Sequence, residues 1–229
     1  MTLFNGDEVL EIPAGAATLL AGVGGASTMR RTAVVLHGGS ADGMPSVRQG
    51  LSRALAREGF AIVDVPLVLS FERKRRTRLI ERDLHARAQA VVHWIARLVG
   101  APVAAVGLGP LAGAALAAAG GAPTDVSAVA VIGQEPRAAR VLVRGVRAPA
   151  LLVSQHRDAA TVDAMRSLAA DLNGVAEVRL LAKQGTSERV EELVAEWCVR
   201  YTPSVVPLAA IERAETVFTL PASATTDVS

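Results

Sequence analysis

The stretch VAAVGLGPL, residues 103–111, sets the reading of the whole chain. Its first four residues are small and apolar, the character of a strand buried on both faces. Gly107-Leu108-Gly109 then makes a tight turn, and Pro110 opens the alanine-rich run AGAALAAAGG (112–121). Proline is favoured at a first helical position, and alanine lets a helix lie close on a sheet. Strand, glycine turn and helix in that order mark a place where α/β proteins either cradle a phosphate or present a nucleophile.

Outward from this turn the chain alternates strands and helices. DEVLEIP (7–13) and ATLLAGV (17–23) read as two short antiparallel strands joined by a Pro-Ala-Gly turn. TAVVLHG (32–38), FAIVDVP (60–66), 103–106, SAVAVIG (127–133), ALLVS (150–154) and AEVRLLA (176–182) are the further strands. Helices are expected over 45–59, 79–99, 110–120, 159–172 and 187–200. In the second of these, Leu84, Ala88, Val91, Val92 and Ile95 share one face. The order predicts a mostly parallel sheet of about eight strands with helices on both faces, a single domain over 1–201. Residues 202–229 read as a tail, in which VVPLAAIERAETVF (205–218) forms one helix docked on the body or on a partner and ASATTDVS is disordered.

Bulk properties narrow the classes. Half of the 229 residues are apolar but only 3% are aromatic, so Ala, Val and Leu build the core. A formal charge of +2 is too small for a dedicated nucleic-acid binder. A lone cysteine, Cys198, excludes an internal disulfide and a cysteine metal cluster, and belongs on the buried face of the last helix. His85 and His93 stand eight apart without an acidic or cysteine partner at ligand spacing, so no metal is expected. With no leader and no membrane-length apolar run, the expectation is a soluble cytoplasmic protein.

Ligands of open α/β sheets meet the carboxyl ends of the strands. Those ends carry His37-Gly38-Gly39-Ser40, Asp64, Gly107-Leu108-Gly109-Pro110, Gln134-Glu135, His156-Arg157-Asp158 and Lys183-Gln184-Gly185-Thr186-Ser187. In this order AVVLHGG (33–39), the turn with its small-residue helix (107–119) and LLVSQHRD (151–158) resemble the α/β-hydrolase fold, and within it the dienelactone-hydrolase-like proteins. The resemblance spans roughly residues 8 to 200. It implies a nucleophile at Gly109, an acid at Asp158, a histidine near Ser187 and backbone N–H groups around Ser40 and Pro110.

Three of those four parts are altered. Gly109 has no side chain to attack with, and Pro110 has no N–H to give an oxyanion. No histidine follows His156. Asp158 alone keeps the expected residue type. A nucleophile elbow strains a side-chain-bearing residue by about 1–3 kcal/mol, and glycine removes that strain. The expectation is therefore a non-catalytic relative that binds a small ligand or a protein partner, a second copy of itself included, without a cofactor.

Two other classes stay open. An ester or lactone hydrolase could use displaced groups, Ser40 or Ser154 with His156. Gly107-x-Gly109-x-x-Ala112 also fits a nucleotide-binding turn, with Glu135 as its ribose partner. Such a turn ordinarily opens the first βαβ unit, however, and here several strands precede it. His37 reads as a loop-ordering residue with Gly38, Gly39 and Ser40 as the cleft lining. Arg73, Lys74, Arg75, Arg76 and Arg78 form the densest charge run, a solvated loop or a grip for an acidic partner. Without interleaved aromatics it does not suit base stacking.

Overall fold

A computed structural model describes residues 9–15, 17–25, 30–38, 44–69, 72, 81–133, 143–154, 158–181 and 187–204. Eight strands form one sheet: β1 (Val9–Ala14), β2 (Ala17–Gly24), β3 (Arg31–His37), β4 (Phe60–Pro66), β5 (Val103–Leu108), β6 (Val126–Ile132), β7 (Ala150–Ser154) and β8 (Ala176–Leu180). Five helices accompany them: α1 (Pro45–Arg57), α2 (Glu81–Val99), α3 (Gly113–Gly121), α4 (Ala159–Asp171) and α5 (Ser187–Tyr201). The strands lie in the order β1-β2-β4-β3-β5-β6-β7-β8. From β4 to β8 every pairing is parallel, while β2 runs against both of its neighbours. One strand is thus reversed, and β1 points the same way as the parallel body.

Side-chain alternation divides the core in two. Val34, Leu36, Val63, Val65, Val129 and Val131 pack with α2 and α3 on one face. Val35, Ile62, Val106, Ala130 and Val153 pack with α1 and α5 on the other. The predicted α2 face, Leu84 to Ile95, is buried as expected. Cys198 is fully buried in α5, and loss of hydration pushes its thiol up to about 12, so the thiolate is not formed near neutral pH.

Small residues set the distance of α3 from the sheet. Every residue from Gly113 to Ala119 is buried. A methyl group on Gly107, at the end of β5, would collide with the Ala112 carbonyl, so the strand and the turn before α3 touch through backbone. On the outer side of α3, Gln89 of α2 donates from Nε2 to the Ala117 carbonyl at 3.1 Å.

Beyond β4 the chain is held by a buried ion pair. Glu72 and Arg87 meet in two-pronged geometry, Nη2 to Oε1 at 2.5 Å and Nη1 to Oε2 at 2.8 Å. The Leu69 N–H also donates to Glu72 Oε2, and Arg87 Nη1 donates to the Leu67 carbonyl at 2.9 Å. These bonds tie the segment after β4 to α2. The Arg87 side-chain hydrogen bond is the main reason that the Glu72 carboxyl sits below its ordinary value.

Gly107→Ala should lower stability by roughly 1–3 kcal/mol, the range for forcing extra volume into a packed site; urea unfolding with an unchanged m-value measures it. A carboxyl held low contributes stability above its unfolded pKa, and that stability fades as pH falls toward the folded value. The protein should therefore lose stability on acidification below about 4.5, the ordinary Glu72 value. The Glu72→Gln chain should be less stable at neutral pH and show a flatter acid limb in pH-dependent melts.

Candidate functional site at the carboxyl edge

β5 ends with Leu108 in extended backbone, φ −119° and ψ 139°. Gly109 then takes φ +66°, the left-handed region that side-chain-bearing residues adopt at a cost. A single 3-10 turn over Gly109–Leu111 follows, closed by the Ala112 N–H on the Gly109 carbonyl at 3.1 Å, and α3 begins at Gly113. The helix therefore starts three residues later than its sequence suggests, because the proline is taken up in the tighter turn. Gly133, just beyond β6, closes the other side. A Cβ there would stand 2.8 Å from the Gly109 carbonyl. The backbone is that of a sharp strand-to-helix elbow with glycine at its strained point.

Three ionisable side chains gather one strand away, on the α1 face. His37 ends β3, Asp64 lies in β4 and Arg48 belongs to the first turn of α1. His37 Nε2 is 3.3 Å from Asp64 Oδ1, and Arg48 Nη1 is 3.5 Å from Asp64 Oδ2. Arg48 Nη1 also stands 3.2 Å from Nε2 and 3.4 Å from Nδ1 of His37. It is nearly equidistant from both ring nitrogens, so the guanidinium lies across the imidazole rather than in line with one atom. His37 is buried, and its carbonyl accepts from the Leu67 N–H at 2.8 Å. Asp64 Oδ1 is buried and makes no well-aligned hydrogen bond, although it lies at ion-pair distance from the ring. The cluster ties β3 and β4 to α1 at the same edge of the sheet as the elbow.

Glu191 adds a further acid. It is buried in α5 one turn from the helix start, and its carboxylate fills the room that Gly50 of α1 leaves open. Its position in line with Val194 and Cys198, an acid on an apolar stripe, is the sequence signal for it. Arg48 has no comparable signal, since its partners come from two strands.

Asp158 is the N-cap of α4. Its Oδ1 accepts from the Thr161 N–H at 2.9 Å and its Oδ2 from the Thr161 hydroxyl at 2.8 Å. Both carboxylate oxygens thus serve a helix start, and the residue is exposed. Ser154 is buried at the end of β7, three strands from His37 in the sheet order. At roughly 4.8 Å per strand that separation is about 14 Å, too far for Ser154 to use His37 as its base. His93 pairs with Asp125 at 2.7 Å on the protein surface. Gly39, Ser40, Gln134, Glu135, His156, Arg157, residues 183–186, the side chain of Ser187 and the basic run 73–78 lie outside the described residues. Among the described residues no group of three His, Cys, Asp or Glu side chains could hold a metal ion, and no helix is long and apolar enough to cross a membrane.

Solved structures with the same chain path give this architecture its class. A dienelactone hydrolase from Anabaena variabilis superposes with a TM-score of 0.74 at 20% identity, over 86% of this chain and 98% of that one. A dienelactone-hydrolase-like promiscuous phosphotriesterase from metagenomic libraries gives 0.62 at 16% identity, over 86% and 98%. The esterase domain of a Rhodothermus marinus protein gives 0.61 at 18% identity, over 85% and 98%. Neither family models nor curated proteins give a match to the sequence. The chain has the α/β-hydrolase fold. Within that fold, its form is dienelactone-hydrolase-like.

Asp158→Ala should cost about 1 kcal/mol of stability, the usual loss for an N-cap, whereas Asp158→Asn or Asp158→Ser should retain most of it. Thermal melts of the three variants separate a capping carboxylate from a group held for another purpose.

Proposed function

We propose that this chain is a hydrolase-fold protein that binds a small ligand at the carboxyl edge of its sheet without turning it over at the elbow. The observation that carries this reading is the elbow itself: Gly109 at φ +66° supplies no nucleophile, and Pro110 supplies no N–H to a developing oxyanion. Loss of a single oxyanion donor already costs about 10²–10³ in rate. No histidine follows position 156 to act as the family's base. The ligand class follows from the solved relatives, whose names are those of hydrolases acting on lactones, esters and phosphotriesters.

Those same names favour a second reading, an ester or lactone hydrolase with displaced groups. His37 and Asp64 give it a specific footing. A buried imidazole beside a carboxylate is the base-and-orienter half of an acyl-transfer site. Its nucleophile would come from the HGGS loop, with Ser40 three residues from His37.

One panel separates the two. The purified chain is assayed with activated esters, lactones and phosphotriesters and treated with a fluorophosphonate probe, and the same compounds are tested for thermal stabilisation. Binding without catalysis gives raised melting temperatures, no probe labelling and no turnover, and Gly109→Ser gains no activity because base and oxyanion donor are still missing. Turnover that disappears in both His37→Ala and Ser40→Ala would establish the second reading instead.

A further inference from the structure

The hairpin β1–β2 has one face covered and one open. Ile12, Ala14, Leu19 and Ala21 are buried in the core shared with α2. The alternate residues Val9, Glu11, Pro13, Thr18 and Leu20 are exposed, and the register pairs Val9 with Gly22, Glu11 with Leu20 and Pro13 with Thr18 on that same side. Val9 is 60% and Leu20 53% exposed, two of the three most exposed large apolar side chains among the described residues. A Cβ on Gly22 would meet nothing within 4 Å. Because Gly22 pairs with Asp64 and Gly24 with Ile62, this open face lies on the α1 side of the sheet.

The chain leaves α5 on that side too. Thr202 is pinned at the amino edge, its carbonyl accepting from Arg31 Nε at 2.9 Å and its hydroxyl from Ser127 at 3.0 Å. Arg31 opens β3, and the order β3-β4-β2-β1 puts the hairpin within three strand spacings, about 14 Å. Six residues from Thr202 to Leu208 span up to about 20 Å when extended, and Pro203 and Pro207 favour that form. After them, LAAIERAETVF (208–218) carries Ala210, Ile211, Ala214, Val217 and Phe218 at helical spacing, with Glu212, Arg213 and Glu215 off that stripe. An eleven-residue helix is about 16 Å long, close to the roughly 20 Å of six-residue β1.

The geometry points to residues 208–218 as the occupant of the open face: a C-terminal amphipathic helix of the same chain, laid on β1–β2 over Val9, Pro13 and Leu20. It covers the apolar side chains that α1 is too far along the sheet to reach.

Hydrogen exchange tests this on the full chain, on a chain ending at Ser204, and on the full chain carrying Ile211→Asp and Phe218→Asp. Amides of 9–24 should exchange at least about tenfold faster in both altered chains, a local opening about 1.4 kcal/mol easier, with β5 and β6 unchanged. Limited trypsinolysis adds a second reading at Arg213, which should be cut slowly in the native chain and quickly in Leu20→Asp, a change at an exposed position. Equal hairpin exchange with and without the segment, or equal cleavage at Arg213, overturns the proposal. So does protection that grows with protein concentration alongside a dimer mass in light scattering, since the occupant is then a second copy.

Discussion

Backbone contact between the end of β5 and the turn before α3 is the constraint on which the centre of the molecule depends. Gly107 touches Ala112 with no room for a methyl group, and Gly133 closes on Gly109 from the next strand. Those contacts pull a helix of glycine, alanine and one leucine flat against the sheet, and the helix in turn sets where α2 can lie. Dispersion and apolar burial then come from many small, well-fitted surfaces rather than from a few large side chains. The elbow is a consequence of that fit. Its sharpness is needed to send the chain from strand to helix whether or not chemistry occurs at its tip.

Most of this was legible in the linear chain. Apolar runs located the central strands because parallel strands buried on both faces read as continuous Val, Ala and Ile. β1 and β2 read as short strands either side of a Pro-Ala-Gly turn. β4 and β7 fall where their runs begin and end. The start of α3 was not legible: Pro110 suits a first helical turn of either kind, and only the Ala112 N–H bond to the Gly109 carbonyl shows that the tighter one is made. The ion pair of Glu72 with Arg87 was equally hidden. Glu72 sits beside a run of cations and reads as their local counter-charge, but its carboxylate is committed to a helix fifteen residues away.

The site divides along the same line. Residue types at single positions, glycine, proline and an absent histidine, were open to inspection. The grouping of His37, Asp64 and Arg48 was not, because it joins two parallel strands and a helix through sheet order. Asp158 shows the opposite case. An acid at the end of a strand invites a catalytic role, yet the Thr three residues on already marks it as a helix cap, and both of its oxygens are used that way.

Cys198, sealed in α5, has a consequence of another kind. A thiol that stays protonated far above neutral pH neither attacks disulfides nor yields readily to peroxide. Cys198, the one cysteine in the sequence, is therefore a poor target for thiol oxidants in the folded chain. Any cysteine placed on its surface would be the one thiol that reacts, so the native chain already offers a silent background for a single chemical label.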